Sequence, residues 1–514
     1  MRLGTLLNGL DAEYHACSPD TEIHGVIVDS RRAAPGLAFL AVAGITHDGH
    51  DFITQAAAAG ALVLLQRGRV TTPAYPHVRL PDTAAALPTL AARSFGEPAD
   101  KLRLAGVTGT NGKTTVTYLV AAMLAAAGRK HVRLGTAGNW LVDHAAPAAF
   151  TTPFPLELQG LLAEAVARGA TELVMEVSSH ALAQGRARPL RYHAVGFTSF
   201  SQDHLDFHGT MADYFAAKRL LASEYLRADG VAVAAVDGQP AAHEFLAAAR
   251  DTGARTWRAS RGADPRAEIC VLEDMSSGPG FDVRLRTPCG EARLRSPLIG
   301  GYNLDNALVA LGLALGLGVP LERAIAGLET SHGAPGRLER VSLADVPGPT
   351  VVVDYAHTPD AVARALDAVR PACAGRLWIV LGCGGDRDPS KRAPMGRLAA
   401  AGADVWVATS DNPRSEDPPA IVAQMLADVP HEHRDRVIEI VDRATAIAHA
   451  ITSAAPEDLV LIAGKGHEDY QILVQGKIHF DDREHAANAL AARQRMPLSS
   501  NPPATSIPRT EETC

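Results

Sequence analysis

Short apolar runs, each followed by a polar or glycine-rich stretch and then by apolar positions at helical spacing, recur along most of this chain. That alternation predicts buried parallel strands joined by amphipathic helices, hence a sheet covered on both faces. The clearest instance starts at Leu102-Arg103-Leu104-Ala105-Gly106-Val107, passes through the turn Gly109-Thr110-Asn111-Gly112, and continues with Val116, Leu119, Val120, Met123 and Leu124 on one helical face. Further strands are expected at 131–135, 172–177 and 194–198, with helices at 155–168 and 211–226; the second helix sets Tyr214, Lys218, Leu221 and Tyr225 on one side. Beyond the hinge-like stretch Ser331–Arg337, strands are expected at 350–354, 377–381, 405–408, 437–440 and 459–462, and a helix at 360–370. Near the start, 26–32 reads as a strand that delivers Ser30, Arg31 and Arg32, followed by the turn Pro35-Gly36.

These patterns give an α/β protein of three domains: a smaller N-terminal α/β domain (1–98), a central P-loop-type domain with a mostly parallel sheet (99–334), and a Rossmann-like C-terminal domain (335–495). A disordered Pro/Ser/Thr-rich tail is expected at 496–514.

Composition narrows the function. With 47% hydrophobic residues but no apolar run near the roughly 20 that a membrane span needs, a soluble protein is expected. The first twenty residues lack a basic head and apolar stretch, so a cytoplasmic location is expected. The six scattered cysteines have no metal-ligand spacing and suit a reducing compartment. A net charge of −8 argues against a nucleic-acid surface, so an anionic substrate has to be held by local groups. A monomer with neither nucleic-acid nor membrane partner is expected.

The glycine turn supplies such groups. Polyphosphate has to be approached closely by backbone N–H groups, which glycine leaves bare, and the following helix adds unpaired donors and its positive dipole end. Lys113 then reaches the terminal phosphates, and the Thr114 hydroxyl ligates Mg²⁺. The standard motif has glycine where Val107 stands, with Gly106 one place early, so a plain connecting turn is the alternative. Glu176 and Ser178-Ser179-His180 fall at the carboxyl end of a strand, where ligands of such sheets sit. In Asp203-His204-Leu205-Asp206, metal binding and helix capping are both open readings. Read alone, Ser30, Arg31 and Lys218 are solvated polar residues. Four polar loops, beginning at Tyr355, Gly382, Asp411 and Gly464, follow strands of the last domain and together suggest a binding site.

Gly109–Thr115, Thr151-Thr152-Pro153, 175–180, 203–206, Lys218, 303–306, Gly336-Arg337 and 354–360, in this order, resemble the Mur ligases of peptidoglycan synthesis, over about Asp29 to Arg483. The resemblance implies an ATP-dependent ligase that phosphorylates a carboxylate to an acyl phosphate and lets an amine attack it. It implies that Gly109, Thr110, Asn111, Gly112, Lys113, Thr114 and Thr115 cradle the phosphates, and that Asn303, Arg337 and Asp354 contact the rest of ATP. Lys113, His204 and Lys218 would be catalytic. Thr114 and Glu176 would hold one Mg²⁺, and His204 and a carbamylated Lys218 would help hold a second. Ser30 and Arg31 would bind UDP, and Asn111, Thr151, Thr152, Ser178, Gln184 and Arg186 the muramoyl-dipeptide of UDP-MurNAc-L-Ala-D-Glu. Arg387, Asp411, Asn412, Pro413, Arg414, Gly464 and Glu468 match the form that takes meso-diaminopimelate, Arg414 pairing with the distal carboxylate. A lysine-adding or folylpolyglutamate synthetase-like ligase is the nearest alternative, and a regulatory NTP-binding protein the more distant one.

Overall fold

The computed structural model describes residues 1–44, 47–70, 73–342 and 348–495; the expected tail lies outside them. The chain divides into two compact units, Met1–Pro335 and Gly336–Cys514.

The first unit holds two sheets. In the smaller, the strands Gly25–Ile27, Leu37–Leu40, Leu62–Gln66 and His77–Leu80 run parallel, and Glu13–His15 closes the edge antiparallel to the last. The larger sheet has eleven strands. At its centre Arg103–Thr108 lies parallel to Tyr192–Phe197 on one side and Glu172–Glu176 on the other, with Gly106 opposite Val195 and Met175. Alternation along the central strand explains the apolar run Leu104–Val107 between Arg103 and Thr108. Ala105 and Val107 join one core with Val116, Leu119 and Leu308. Leu104 joins the other, with Leu158, Leu162 and Leu173. Covered on both faces, residues 104–107 have no polar side to show.

The second unit has a six-stranded sheet. Thr350–Asp354, Leu459–Ala463, Leu377–Leu381, Val405–Ala408 and Val437–Glu439 are parallel neighbours in that order, and Glu339–Val341 pairs antiparallel at the edge. Parallel neighbours bring the loops after Asp354, Leu381, Ala408 and Ala463 to one edge. The helices Arg443–Ser453 and Asp482–Arg495 share a core with Val353, Trp378 and Val380.

Two sequence expectations change, and one feature is added. Ser30, Arg31 and Arg32 form a 3-10 turn instead of ending a strand, because the Asp29 carboxylate accepts from Arg31 N–H at 3.0 Å and turns the chain. The helix from Met211 stops at Ser223, since Leu226 already pairs with Tyr192 in the sheet; Tyr225, buried, lies just past the helix. Beyond Ile269–Asp274 the larger sheet continues with an antiparallel hairpin, Phe281–Thr287 and Gly290–Ser296, whose alternating charged positions carry no βα signature.

Candidate functional site

The glycine turn links the strand Arg103–Thr108 to the helix Lys113–Ala126. Gly109 and Gly112 adopt φ of +148° and +88°. A Cβ on Gly109 would stand 2.0 Å from Thr198 Oγ1, and one on Gly112 would stand 2.3 Å from Asn306 Oδ1, so space and backbone both demand glycine. Lys113 curls back and donates through Nζ to the carbonyl oxygens of Gly109 and Thr110, each at 2.9 Å. Thr114 and Thr115 are buried in the first helical turn, whereas Asn111 is exposed at the tip. Asn303, also buried, donates to Ile299 O at 2.9 Å and accepts from Asn306 Nδ2 at 3.2 Å, which connects it to the roof of the turn.

Lys218 reaches the same turn from the helix Met211–Ser223. It is 1% exposed, donates to Gly109 O at 2.8 Å and stands 4.4 Å from the centroid of the Tyr214 ring. Burial, then repulsion from Lys113, hold its ammonium well below the usual lysine pKa, against an opposing pull from Asp203. Among the described residues no carboxylate lies within ion-pair distance of it. Its solvated reading is therefore corrected: this lysine is inside.

Glu176, also 1% exposed, accepts from Thr136 N at 2.9 Å and from Thr136 Oγ1 at 3.1 Å. Gly135 makes the room, since a Cβ there would meet Glu176 Oε1 at 2.3 Å. Thr151 Oγ1 lies 2.9 Å from Thr136 Oγ1; Thr152 Oγ1 donates to Glu176 O at 2.9 Å and accepts from Ser178 N at 3.1 Å. Arg186 stacks 3.9 Å over the Phe154 ring, two residues beyond Thr152, and Gln184 beside it is exposed. Thr151, Thr152, Glu176, Ser178 and Arg186 thus form one wall.

His204, at φ +51°, meets His180 with ring centroids 4.8 Å apart, and His180 lies 5.4 Å from His208. Burial, then charge repulsion from His204, lower the pKa of both His180 and His208. Their packing as a cluster was not legible from spacing. Among the described residues no three His, Cys, Asp or Glu side chains converge as a metal site. What exists is one buried carboxylate, hydroxyls and a buried amine. The carboxylate and hydroxyls suit a hard ion that keeps waters and takes further oxygens from a substrate, whereas an unmodified amine does not ligate one.

Ser30 and Arg31 sit in the 3-10 turn after the strand Gly25–Ile27 with local partners: Ser30 Oγ donates to Gln55 Oε1 at 3.3 Å, and Arg31 makes a two-point pair with Asp29 at 2.9 and 2.8 Å.

In the second unit, Asp354 is buried and accepts from Leu338 N at 2.8 Å and Ala356 N at 2.9 Å; burial raises its pKa, partly offset by Arg337. Arg337 lies 4.8 Å over the Tyr355 ring. Two of the four loops, those of Asp411 and Gly464, are stitched together by Lys465, fully buried, which donates to Asn412 Oδ1 at 3.2 Å, Asp411 Oδ1 at 3.4 Å and Glu468 Oε2 at 3.5 Å. Asn412 Nδ2 donates to Glu468 Oε2 at 3.0 Å. After Pro413, Arg414 takes a left-handed φ of +54°, its N–H donating to Ile472 O at 3.0 Å and its Nη1 to Gly385 O at 2.7 Å. Arg387, exposed, shares Gly384 with it: a Cβ there would meet Arg414 Nη1 at 3.0 Å and Arg387 Cγ at 4.0 Å. Gly464 has φ of +120°. Beneath them Arg443 pairs with Asp482 at 2.8 and 2.7 Å, both wholly buried, and donates to Ser410 O at 3.2 Å and Ala463 O at 3.0 Å. Sequence reasoning missed this brace under the loops of Asp411 and Gly464.

No helix among the described residues is long and apolar enough to cross a membrane. Cys17, Cys270, Cys289, Cys373 and Cys383 are free thiols.

Three family models match the chain: "Mur ligase family, catalytic domain" over residues 22–94, "Mur ligase middle domain" over 107–314 and "Mur ligase, glutamate ligase domain" over 336–466. Among curated relatives, a UDP-N-acetylmuramoyl-L-alanyl-D-glutamate--2,6-diaminopimelate ligase of Gloeobacter violaceus is 46% identical over 498 residues, covering 96% of this chain and 99% of its own. A protein of the same name from Synechococcus elongatus is 46% identical over 487 residues, 92% and 95% of the two chains. A solved structure of an enzyme with that name aligns with a TM-score of 0.75 at 30% identity, covering 96% of this chain and all of that one.

Proposed function

The chain belongs to the Mur ligase family, and from that membership we propose that it joins meso-diaminopimelate to UDP-N-acetylmuramoyl-L-alanyl-D-glutamate at the expense of ATP, as a cytoplasmic monomer. In this reading residues 1–98 hold UDP through Ser30 and Arg31, residues 99–334 hold ATP and the acceptor carboxylate, and residues 335–495 hold the incoming amino acid.

A carboxylate is a poor electrophile, so phosphorylation gives it a leaving group before the amine attacks. Backbone donors of Gly109–Thr115 and the helix dipole bind the phosphates. Lys113 exchanges the carbonyls of Gly109 and Thr110 for phosphate oxygens, and Asn303, Arg337 and Asp354 contact the nucleoside and phosphates. Thr114 and Glu176 would hold one Mg²⁺, and His204 with a carbamylated Lys218 a second; the bound ions would neutralise charge as the two anions approach. The burial of Lys218 supports that modification, since it keeps an amine from water beside Gly109 O. Asn111, Thr151, Thr152, Ser178, Gln184 and Arg186 orient the dipeptide, whose carboxylate must face the terminal phosphate.

The observation that carries the amino-acid assignment is the pose of Arg414. Its side-chain hydrogen bonds to Gly385 O and Asn412 O both leave from Nη1. Among the described residues, the Nε–Nη2 edge of the fork is then available to a carboxylate, which diaminopimelate has and lysine lacks. Glu468 receives the distal ammonium, and Arg387, Asp411, Asn412, Pro413 and Gly464 shape the pocket. Incubation with ATP, Mg²⁺, the UDP-dipeptide and either amino acid tests the assignment. ADP and a tripeptide product are expected with diaminopimelate; equal use of lysine overturns the specificity, and no ADP with either overturns the reaction.

A further inference from the structure

The central sheet of the first unit has a second edge. At the starts of the parallel strands Arg103–Thr108, Tyr192–Phe197 and Leu226–Ala235, away from the glycine turn at their carboxyl ends, lies a cavity of about 530 Å³. That volume is within the usual range of small-molecule sites.

Its rim is basic. Lys101, Arg103, Arg191 and Arg227 line it, against the acids Glu97 and Asp100. Arg227 is paired with Asp229 at 2.9 Å, whereas Arg191 donates to the carbonyl of Glu224 and Arg103 reaches Gly316 O only at 3.5 Å. Carbonyl partners leave a guanidinium its full charge toward an incoming anion. His193 accepts from Leu104 N at 3.1 Å through Nδ1, so its neutral ring keeps a proton on Nε2, a further donor on the same wall.

The wall also holds a polar group with nothing to bind. Gln159, on the helix Pro155–Ala167, is 1% exposed, and among the described residues neither its carbonyl oxygen nor its amide nitrogen has a hydrogen-bond partner. Native interiors seldom leave both ends of a carboxamide unmatched, because its desolvation then goes uncompensated. A planar carboxamide offers one acceptor beside donors, the complement of the adjacent donor and acceptor on a base edge.

We propose that this cavity binds a nucleoside phosphate, with Gln159 reading the base edge and Arg103 and Arg191 holding the phosphate. The site lies outside every residue assigned to ligation and does not depend on that assignment.

Calorimetric titration of the full-length protein with UMP and AMP, and separately with uridine, adenosine and inorganic phosphate, tests it. At least one nucleotide should bind saturably in the wild type and in Lys113→Ala, and about tenfold or more weaker in Gln159→Met and in Arg103→Ala/Arg191→Ala. Gln159→Met should melt no lower than wild type, since it removes an unmatched polar group. The exposed double variant decides the matter if the buried one fails to fold. Absence of saturable nucleotide binding, binding lost in Lys113→Ala, equal binding in Gln159→Met, or phosphate binding as well as the nucleotides would each overturn the proposal.

Discussion

Lys218 in the first unit and Lys465 in the second are both shut away from water, yet they are answered differently. Lys465 points at the carboxylates of Asp411 and Glu468 and the amide of Asn412, and Arg443 nearby is matched to Asp482. Lys218 meets one backbone carbonyl and an aromatic ring. A buried cation matched to fixed acids is complete in itself, and holds loops. One facing only dipoles keeps an electrostatic deficit that an incoming anion, or conversion to an anion, removes. On the proposed function, buried basic residues divide into those that build a site and those that act in it.

The widest test is Arg443→Met. It strands Asp482 in the core and should cost about 3–5 kcal/mol in urea unfolding, most of it recovered in Arg443→Met/Asp482→Leu. A loss near zero would mean that the brace is idle.

Lys218→Met should do the reverse, lowering ligation on the order of 10²–10³-fold while the unfolding midpoint stays level or rises. Short-chain carboxylates should restore part of the Lys218→Ala rate. Destabilisation comparable with that of Arg443→Met would erase the distinction between the two lysines.

Arg414→Ala sharpens the functional half. The kcat/KM ratio for diaminopimelate over lysine should fall by about 10- to 150-fold, the worth of one charge-assisted pair. An unchanged ratio would move the specificity elsewhere.

The smallest effect concerns Glu416, which takes both guanidinium nitrogens of the nearly buried Arg392 at 2.8 Å. Those hydrogen bonds hold its carboxyl at about 2, below the ordinary 4.5. Because the folded value is the lower one, its contribution is complete above pH 4.5 and is lost as pH falls toward 2. Glu416→Gln should therefore flatten stability against pH across that window and nowhere else, as thermal melts in a pH series would show.

What the sequence made legible follows from locality. The strand, glycine turn and helix around Lys113 announce themselves through periods of two and 3.6 residues, and the loops of the last domain follow their strands directly. The depth of Lys218 could not be read this way, because the carbonyl it meets is 109 residues distant. Family resemblance, not spacing, marked it. Arg443 and Asp482 were illegible for a related reason. Each opens a helix, where polar residues are the rule, and Asp442 beside Arg443 caps Thr445 N at 2.8 Å as any surface start would. Gln159 looks like an ordinary polar position until the linker Glu97–Lys101 and the sheet edge are seen to cover it. Ser30 and Arg31 were misplaced because a capping carboxylate decided the local geometry over the apolar run before it.

The backbone at Arg414 carries a longer implication. A non-glycine residue in the left-handed region is under strain, and here the strain is tolerated together with a guanidinium aimed by Gly385. On the proposed function, a lineage that changed the amino acid it adds would lose the reason for that pose before losing the pose itself. Glycine or asparagine would then be the easiest successors at this position, and their presence in a descendant would be the fossil of an abandoned preference.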